Sequence, residues 1–170
     1  MPMVVDPVIW AIRILHVISF SIEVFIRREF GERYIGWVHF FLSLILLNIV
    51  ITAYRIVFFL PMIGGGIYPR ISSLYWYGFI FMTGYHMLRI WRRNREGIAW
   101  HSRSPGISYL SFLPVDPWVL YRFIEPAFCI AFSFTIRQFV PFTGNWLLFA
   151  SLCLLIKSNL IFNVARGRVL

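Results

Sequence analysis

This chain of 170 residues is dominated by apolar side chains. They make up 59% of the sequence, charged side chains make up 14%, and the formal net charge is +9. Residues 34–54 form a run without a single charged side chain. A helix needs about 20 residues to cross the roughly 30 Å hydrocarbon core of a bilayer. Several apolar runs in so short a chain exclude an ordinary water-soluble domain and predict an integral membrane protein.

The positive charge does not favour nucleic acid as a partner. The arginines lie at the ends of apolar runs, where they meet lipid headgroups and set the orientation of the chain. Cys129 and Cys153 lie inside apolar runs, which indicates buried thiols rather than a disulfide framework. The sequence contains no CxxC motif, so we expect no zinc site. We also expect no nucleic-acid partner, because no basic face with its own fold supports one.

The apolar runs and their flanking residues predict five helices in one integral membrane domain covering residues 1–170. Asp6 and Pro7 are suited to the N-cap and first position of the first helix, and Asp116 and Pro117 repeat this start. Pro61 ends the second helix. The predicted fold class is all-α, a polytopic membrane helical bundle with four to five transmembrane helices. The predicted helices A to E cover about residues 7–26, 35–60, 71–91, 117–140 and 145–164, with a basic cytoplasmic loop at 92–116.

The distribution of arginines predicts the orientation. If helices B to E all cross, the A–B connection, the C–D connection and the C-terminus share one side, which receives most of the basic residues. The opposite side receives only Arg55, Arg70 and Arg137. Positive charge stays cytoplasmic, so we expect a cytoplasmic C-terminus, in a plasma membrane such as the bacterial inner membrane.

Helix A allows two interpretations. Arg13, His16, Glu23 and Arg27 lie on one narrow stripe of the helix. The helix can cross the membrane with this stripe facing protein, or lie flat on the cytoplasmic surface. Because the polar stripe is narrow for a surface helix, we favour crossing.

Ionisable groups inside a membrane helix each need a partner or a task. Arg122 and Glu125 share one face of helix D, and Lys157 lies on helix E. Glu125 and Lys157 lie at similar depths, about 12 and 10 Å from the cytoplasmic ends of their helices. We therefore predict a structural ion-pair set of Arg122, Glu125 and Lys157. A proton or ion path is the alternative.

Three histidines raise haem as a second possibility. His39 and His86 lie at matched depths near helix ends, as ligation of haem b by two histidines requires. The string Arg13-Ile14-Leu15-His16 resembles the Arg-x-x-His on the first helix of some b-type cytochrome membrane subunits. This resemblance covers four residues and implies His16 as a further candidate cofactor ligand.

The C–D connection is the most distinctive polar stretch. Its arginine, histidine and serine donors can hold lipid phosphates or an acidic partner surface. The candidate residues for lipid or partner contact are Arg92, Arg93, Arg95, His101 and Arg103.

These observations favour a non-catalytic integral membrane subunit of a larger membrane complex. Its expected partners are membrane lipids and either other membrane subunits or copies of itself. Two alternatives stay open: a b-type haem electron-transfer subunit, and a small transporter or channel subunit. No serine lies in a recognisable nucleophile motif, so the sequence assigns no catalytic residue.

Overall fold

The computed structural model describes residues 7–31, 37–59, 68–97 and 106–167. These residues are mostly helical and include five long helices. They are α1 (Pro7–Ile26), α2 (Trp37–Phe59), α3 (Tyr68–Arg95), α4 (Pro117–Phe139) and α5 (Pro141–Gly167). Helix α1 has the predicted bounds, α3 extends beyond its prediction at both ends, and α5 begins four residues early. The predicted helix signals at Asp6 and Pro61 lie outside the described residues.

Three of these helices are long and apolar enough to cross a membrane: α1, α4 and α5 as far as Val164. In α2 the described apolar stretch, Trp37–Val50, is shorter than a span. Helix α3 carries Arg92, Arg93 and Arg95 in its last turn. Among the described residues, three candidate spans therefore stand where the sequence predicted four or five.

A small β-pairing departs from the predicted all-α fold. Strand β1 (Arg27–Glu29) pairs antiparallel with β2 (Ile107–Ser108). The backbone leaves the helix after Ile26 and needs new hydrogen-bond partners, which the second strand supplies. Gly106 precedes β2 with a φ of 89°, and a Cβ there would lie 1.6 Å from the Glu29 carbonyl oxygen. Only glycine can come this close to the Glu29 backbone. The β1–β2 pairing thus joins the A–B connection to the C–D connection.

Helix α1 lies at the centre of the packing. One apolar cluster on it joins α2, α3 and α5 through Phe20, Val24, Phe30, Leu47, Phe79 and Trp146. A second joins α4 and α5 through Ile22, Cys129, Leu147, Ala150 and Leu154. Two polar groups beside the first cluster are bonded to Ser21: the Tyr75 hydroxyl donates to the Ser21 carbonyl at 2.7 Å, and the Trp146 indole donates to Ser21 Oγ at 3.1 Å.

Helices α4 and α5 form a tight hairpin, and Gly144 permits its close approach. A Cβ at Gly144 would lie 2.3 Å from the Cα of Arg137. This neighbour is backbone, so it cannot move aside as a flexible side chain can. Gly84, on α3, offers the opposite case, because a Cβ there meets nothing within 4 Å.

We predict that Gly144→Ala destabilises the protein and Gly84→Ala does not. Forcing an extra methyl group into a packed contact costs about 1–3 kcal/mol. In an open helical position, replacing glycine by alanine is neutral or gains up to about 1 kcal/mol. Thermal unfolding of both variants in mild detergent measures this difference. Equal midpoints for the two variants would contradict the close hairpin.

Candidate functional site

Ser19 and Glu23 of α1 and Arg27, the first residue of β1, form one buried polar line. The spacing of four residues places Ser19 and Glu23 one above the other on the helix, and Arg27 continues the line just after the helix ends. All three side chains are at most 1% exposed. Charged groups buried this deeply need charged or hydrogen-bonding partners. The partners come from α4 and α5.

Lys157 of α5 pairs with this line. Its Nζ donates to Ser19 Oγ at 2.9 Å and forms an ion pair with Glu23 Oε1. Ser19 Oγ donates to the same carboxylate oxygen. Lys157 is 2% exposed. This contact holds the C-terminal half of α5 to the last turns of α1.

Glu125 of α4 pairs with Arg27. The Arg27 NH2 group donates to Glu125 Oε2 at 3.3 Å, and Arg27 Nε lies 3.7 Å from Glu23 Oε2. The Arg27 guanidinium also lies over the Tyr121 ring, 5.3 Å from its centroid. Two carboxylates and two cations thus form one network that is formally neutral. We call Glu23, Arg27, Glu125 and Lys157 the ion network.

A π-helical turn precedes Glu125 in α4. The turn covers Leu120–Ile124, and the Glu125 N–H bonds the Leu120 carbonyl. Pro126 follows and has no N–H to donate, so the regular helical bonding pattern is interrupted here in any case. A π turn rotates the residues that follow it relative to those before. It thereby places Tyr121 and Glu125 together against Arg27.

The predicted set of Arg122, Glu125 and Lys157 is distributed over two sites. Glu125 contacts Arg27, and Lys157 contacts Glu23, so α1 lies between them in the ion network. Arg122 is half-buried and donates from Nε to Asn159 Oδ1 at 2.6 Å. Its guanidinium lies 4.5 Å from the centroid of the Phe162 ring. Arg122 therefore links α4 to α5 separately.

Part of the predicted lipid or partner set makes contacts within the chain. Arg93 NH2 donates to the Phe30 carbonyl at 2.6 Å, and Arg93 NH1 lies 3.5 Å from Glu29 Oε2. Arg89 pairs with the other oxygen of Glu29 at 3.0 Å. Arg92 and Arg95 are exposed, and Arg95 lies over the Trp91 ring at 3.9 Å. His101 and Arg103 lie outside the described residues.

The three predicted haem ligands are divided between two places. The rings of His16 and His39 are in edge contact, with centroids 5.0 Å apart. His86 is buried elsewhere, with Nε2 3.0 Å from the Val24 carbonyl and its ring against Phe30. Val24 therefore already engages the His86 nitrogen that most often ligates haem iron. Within the described ranges no group of three or more His, Cys, Asp or Glu residues is arranged for a metal ion.

Sequence reasoning placed the depths of Glu125 and Lys157 but missed that Glu23 and Arg27 are their partners. The signal was present in the four-residue spacing of Ser19, Glu23 and Arg27, which marks one buried side of α1. What a single sequence does not supply is the rotation of α1 that turns this side toward α4 and α5.

Comparison with models of known protein families, with curated proteins and with solved structures finds no match to this chain. Within the ion network the cations and carboxylates are paired with each other.

We predict that Lys157→Met destabilises the protein by about 3–5 kcal/mol, because it leaves the buried ion network with one carboxylate more than it has cations. The double variant Glu23→Gln, Lys157→Met should lose much less. Thermal unfolding in detergent of the two single variants and the double variant gives the coupling energy. The crossed pair, Glu125→Gln with Lys157→Met, serves as the control. A coupling as large for the crossed pair as for Glu23 and Lys157 would contradict the observed pairing.

Proposed function

We propose that this chain is a polytopic integral membrane protein with no catalytic activity of its own, and that it acts as a subunit of a larger membrane assembly. Its role is to pack against other membrane helices and to contact lipid.

The contacts at one end of the molecule support a common side for three connections. Arg89 and Arg93 of α3 bind the segment after α1, and β2 pairs with β1 just before α4 begins. Lys157 brings the C-terminal part of α5 to the same level. The exposed arginines at this end are Arg28, Arg92, Arg95 and Arg166. By the positive-inside rule we assign it, with the C-terminus, to the cytoplasmic side.

The ion network favours a structural role over an ion path. A path needs polar groups in series that exchange with water or with the transported ion. Here the charges of Glu23 and Lys157, and those of Arg27 and Glu125, offset each other inside the packed helices. They also need no further subunit for charge balance, so association has to come from another surface.

That surface is an apolar stripe on α3, and it is the observation that carries the proposal. Its residues follow one another at spacings of three or four, so they share one face of the helix. Their exposed fractions lie between 41% and 72%. The stripe consists of Leu74, Tyr77, Phe81, Tyr85 and Leu88. Since α3 is not among the candidate spans and ends in arginines, this face is suited to a helix of another subunit.

Gly84 lies on the same face, between Phe81 and Leu88, and provides the test. A Cβ at the exposed Gly84 meets nothing within 4 Å among the described residues, so we expect a large residue there to spare the fold and to obstruct a docked helix. We predict that Gly84→Trp releases the protein from its assembly without lowering the amount inserted in the membrane. Native electrophoresis of mild-detergent extracts from the source membranes, with mass spectrometry of the band, measures this.

The matched control is Ala131→Trp, which adds the same side chain at an exposed position of α4. The control should keep the wild-type mobility. A wild-type protein that migrates as a monodisperse monomer would contradict the proposed role. So would a Gly84→Trp variant that keeps both the mobility and the partners of the wild type.

A further inference from the structure

An open groove of about 730 Å³ lies between α1, α2 and α5, beside the ion network. Its titratable lining consists of Arg13, His16, His39 and Lys157. The remaining lining residues are apolar and include Trp10. Nothing in the ion network accounts for this groove, which touches the network only at Lys157.

The titratable groups that line the groove are all of basic type, and no carboxylate is among them. Glu23 and Glu125 are paired with Lys157 and Arg27 in the ion network. The side chain of Arg13 is exposed. In the described ranges no carboxylate forms an ion pair with Arg13. The groove therefore presents the guanidinium of Arg13 beside the two histidine rings.

Arg13 lies six residues from the start of α1, about 9 Å along the helix. A cation at such a depth in a membrane helix is costly unless an anion or water reaches it. His39, whose ring is in edge contact with His16, adds an N–H donor to the same wall. Arginine binds phosphate oxygens with two parallel hydrogen bonds, which is stronger than a single neutral hydrogen bond.

The apolar part of the lining limits the kind of anion. Besides Trp10 it includes Val38, Leu42 and Ile161, so one ligand meets both charge and hydrocarbon. A volume of this size is typical of sites for small molecules of about drug size. It accommodates a lipid headgroup and the first part of an acyl chain. A ligand with this combination reaches the groove laterally from the bilayer.

We propose that this groove binds an anionic phospholipid, with the phosphate on Arg13 and His39 and an acyl chain along the apolar wall. This inference rests on the membrane location in the proposed function but not on the proposed assembly. It places a lipid site on residues other than those of the basic C–D connection. A negative result in the Gly84→Trp experiment leaves it intact.

The test uses the purified full-length protein in a neutral detergent. Phosphatidylglycerol is titrated against phosphatidylcholine and against inorganic phosphate, and native mass spectrometry counts the bound lipid. We expect saturable binding of phosphatidylglycerol and about tenfold weaker binding of phosphatidylcholine. Inorganic phosphate should not compete with phosphatidylglycerol. Arg13→Gln and, separately, His39→Gln should each weaken phosphatidylglycerol binding about tenfold, which corresponds to roughly 1.4 kcal/mol.

Arg137→Gln is the control, because it removes the same charge from an exposed position near the end of α4. The affinity of this variant for phosphatidylglycerol should stay within about twofold of the wild type, well below the tenfold loss expected for Arg13→Gln. Equal losses in Arg13→Gln and Arg137→Gln would overturn the site in favour of unspecific attraction. Equal binding of the two lipids would overturn the selectivity for anionic lipid. Competition by inorganic phosphate would assign the groove to free phosphate instead. If Arg13→Gln unfolds, His39→Gln decides alone.

Discussion

The burial of four charges between α1, α4 and α5 constrains the rest of this structure. Removing an ion from water costs several kcal/mol even after the protein relaxes, so each buried charge needs a partner at short range. Glu23 meets Lys157, and Arg27 meets Glu125. These pairs fix the rotation and the relative depth of the three helices at once. Apolar packing alone specifies the relative depth of two helices less strictly, because the hydrophobic effect is not directional.

The depths of the paired residues connect the network to the topology. Glu23 lies about 5 Å before the end of α1, Glu125 about 12 Å after the start of α4, and Lys157 about 10 Å before Val164. The pairing therefore brings the end of α1, the start of α4 and the C-terminal part of α5 to the same end of the molecule. The β1–β2 pairing and the contacts of Arg89 and Arg93 with the segment after α1 lie at this same end.

The sequence predicted the helices far better than the contacts between them. Apolar runs and proline positions locate α1 and α4 almost to the residue, because hydrophobic length and missing N–H groups act locally. The β1–β2 pairing was not predicted, since it joins residues 80 positions apart through a close approach at Gly106. The depths of Glu125 and Lys157 along their helices follow from the sequence. Their partners do not, because which residues pair depends on the rotation of the helices and on the π turn before Glu125. The edge contact of His16 with His39 depends on the same unpredicted geometry.

The central claim is that the ion network holds three membrane-crossing helices with these ends on one side. Side-specific labelling with a membrane-impermeant maleimide tests it most directly, using Arg28→Cys, Arg166→Cys and Gln138→Cys one at a time. The native thiols Cys129 and Cys153 are buried, so their background is low. The account predicts that positions 28 and 166 are labelled from the cytoplasmic side and position 138 from the opposite side. Labelling of positions 28 and 166 from opposite sides would contradict it.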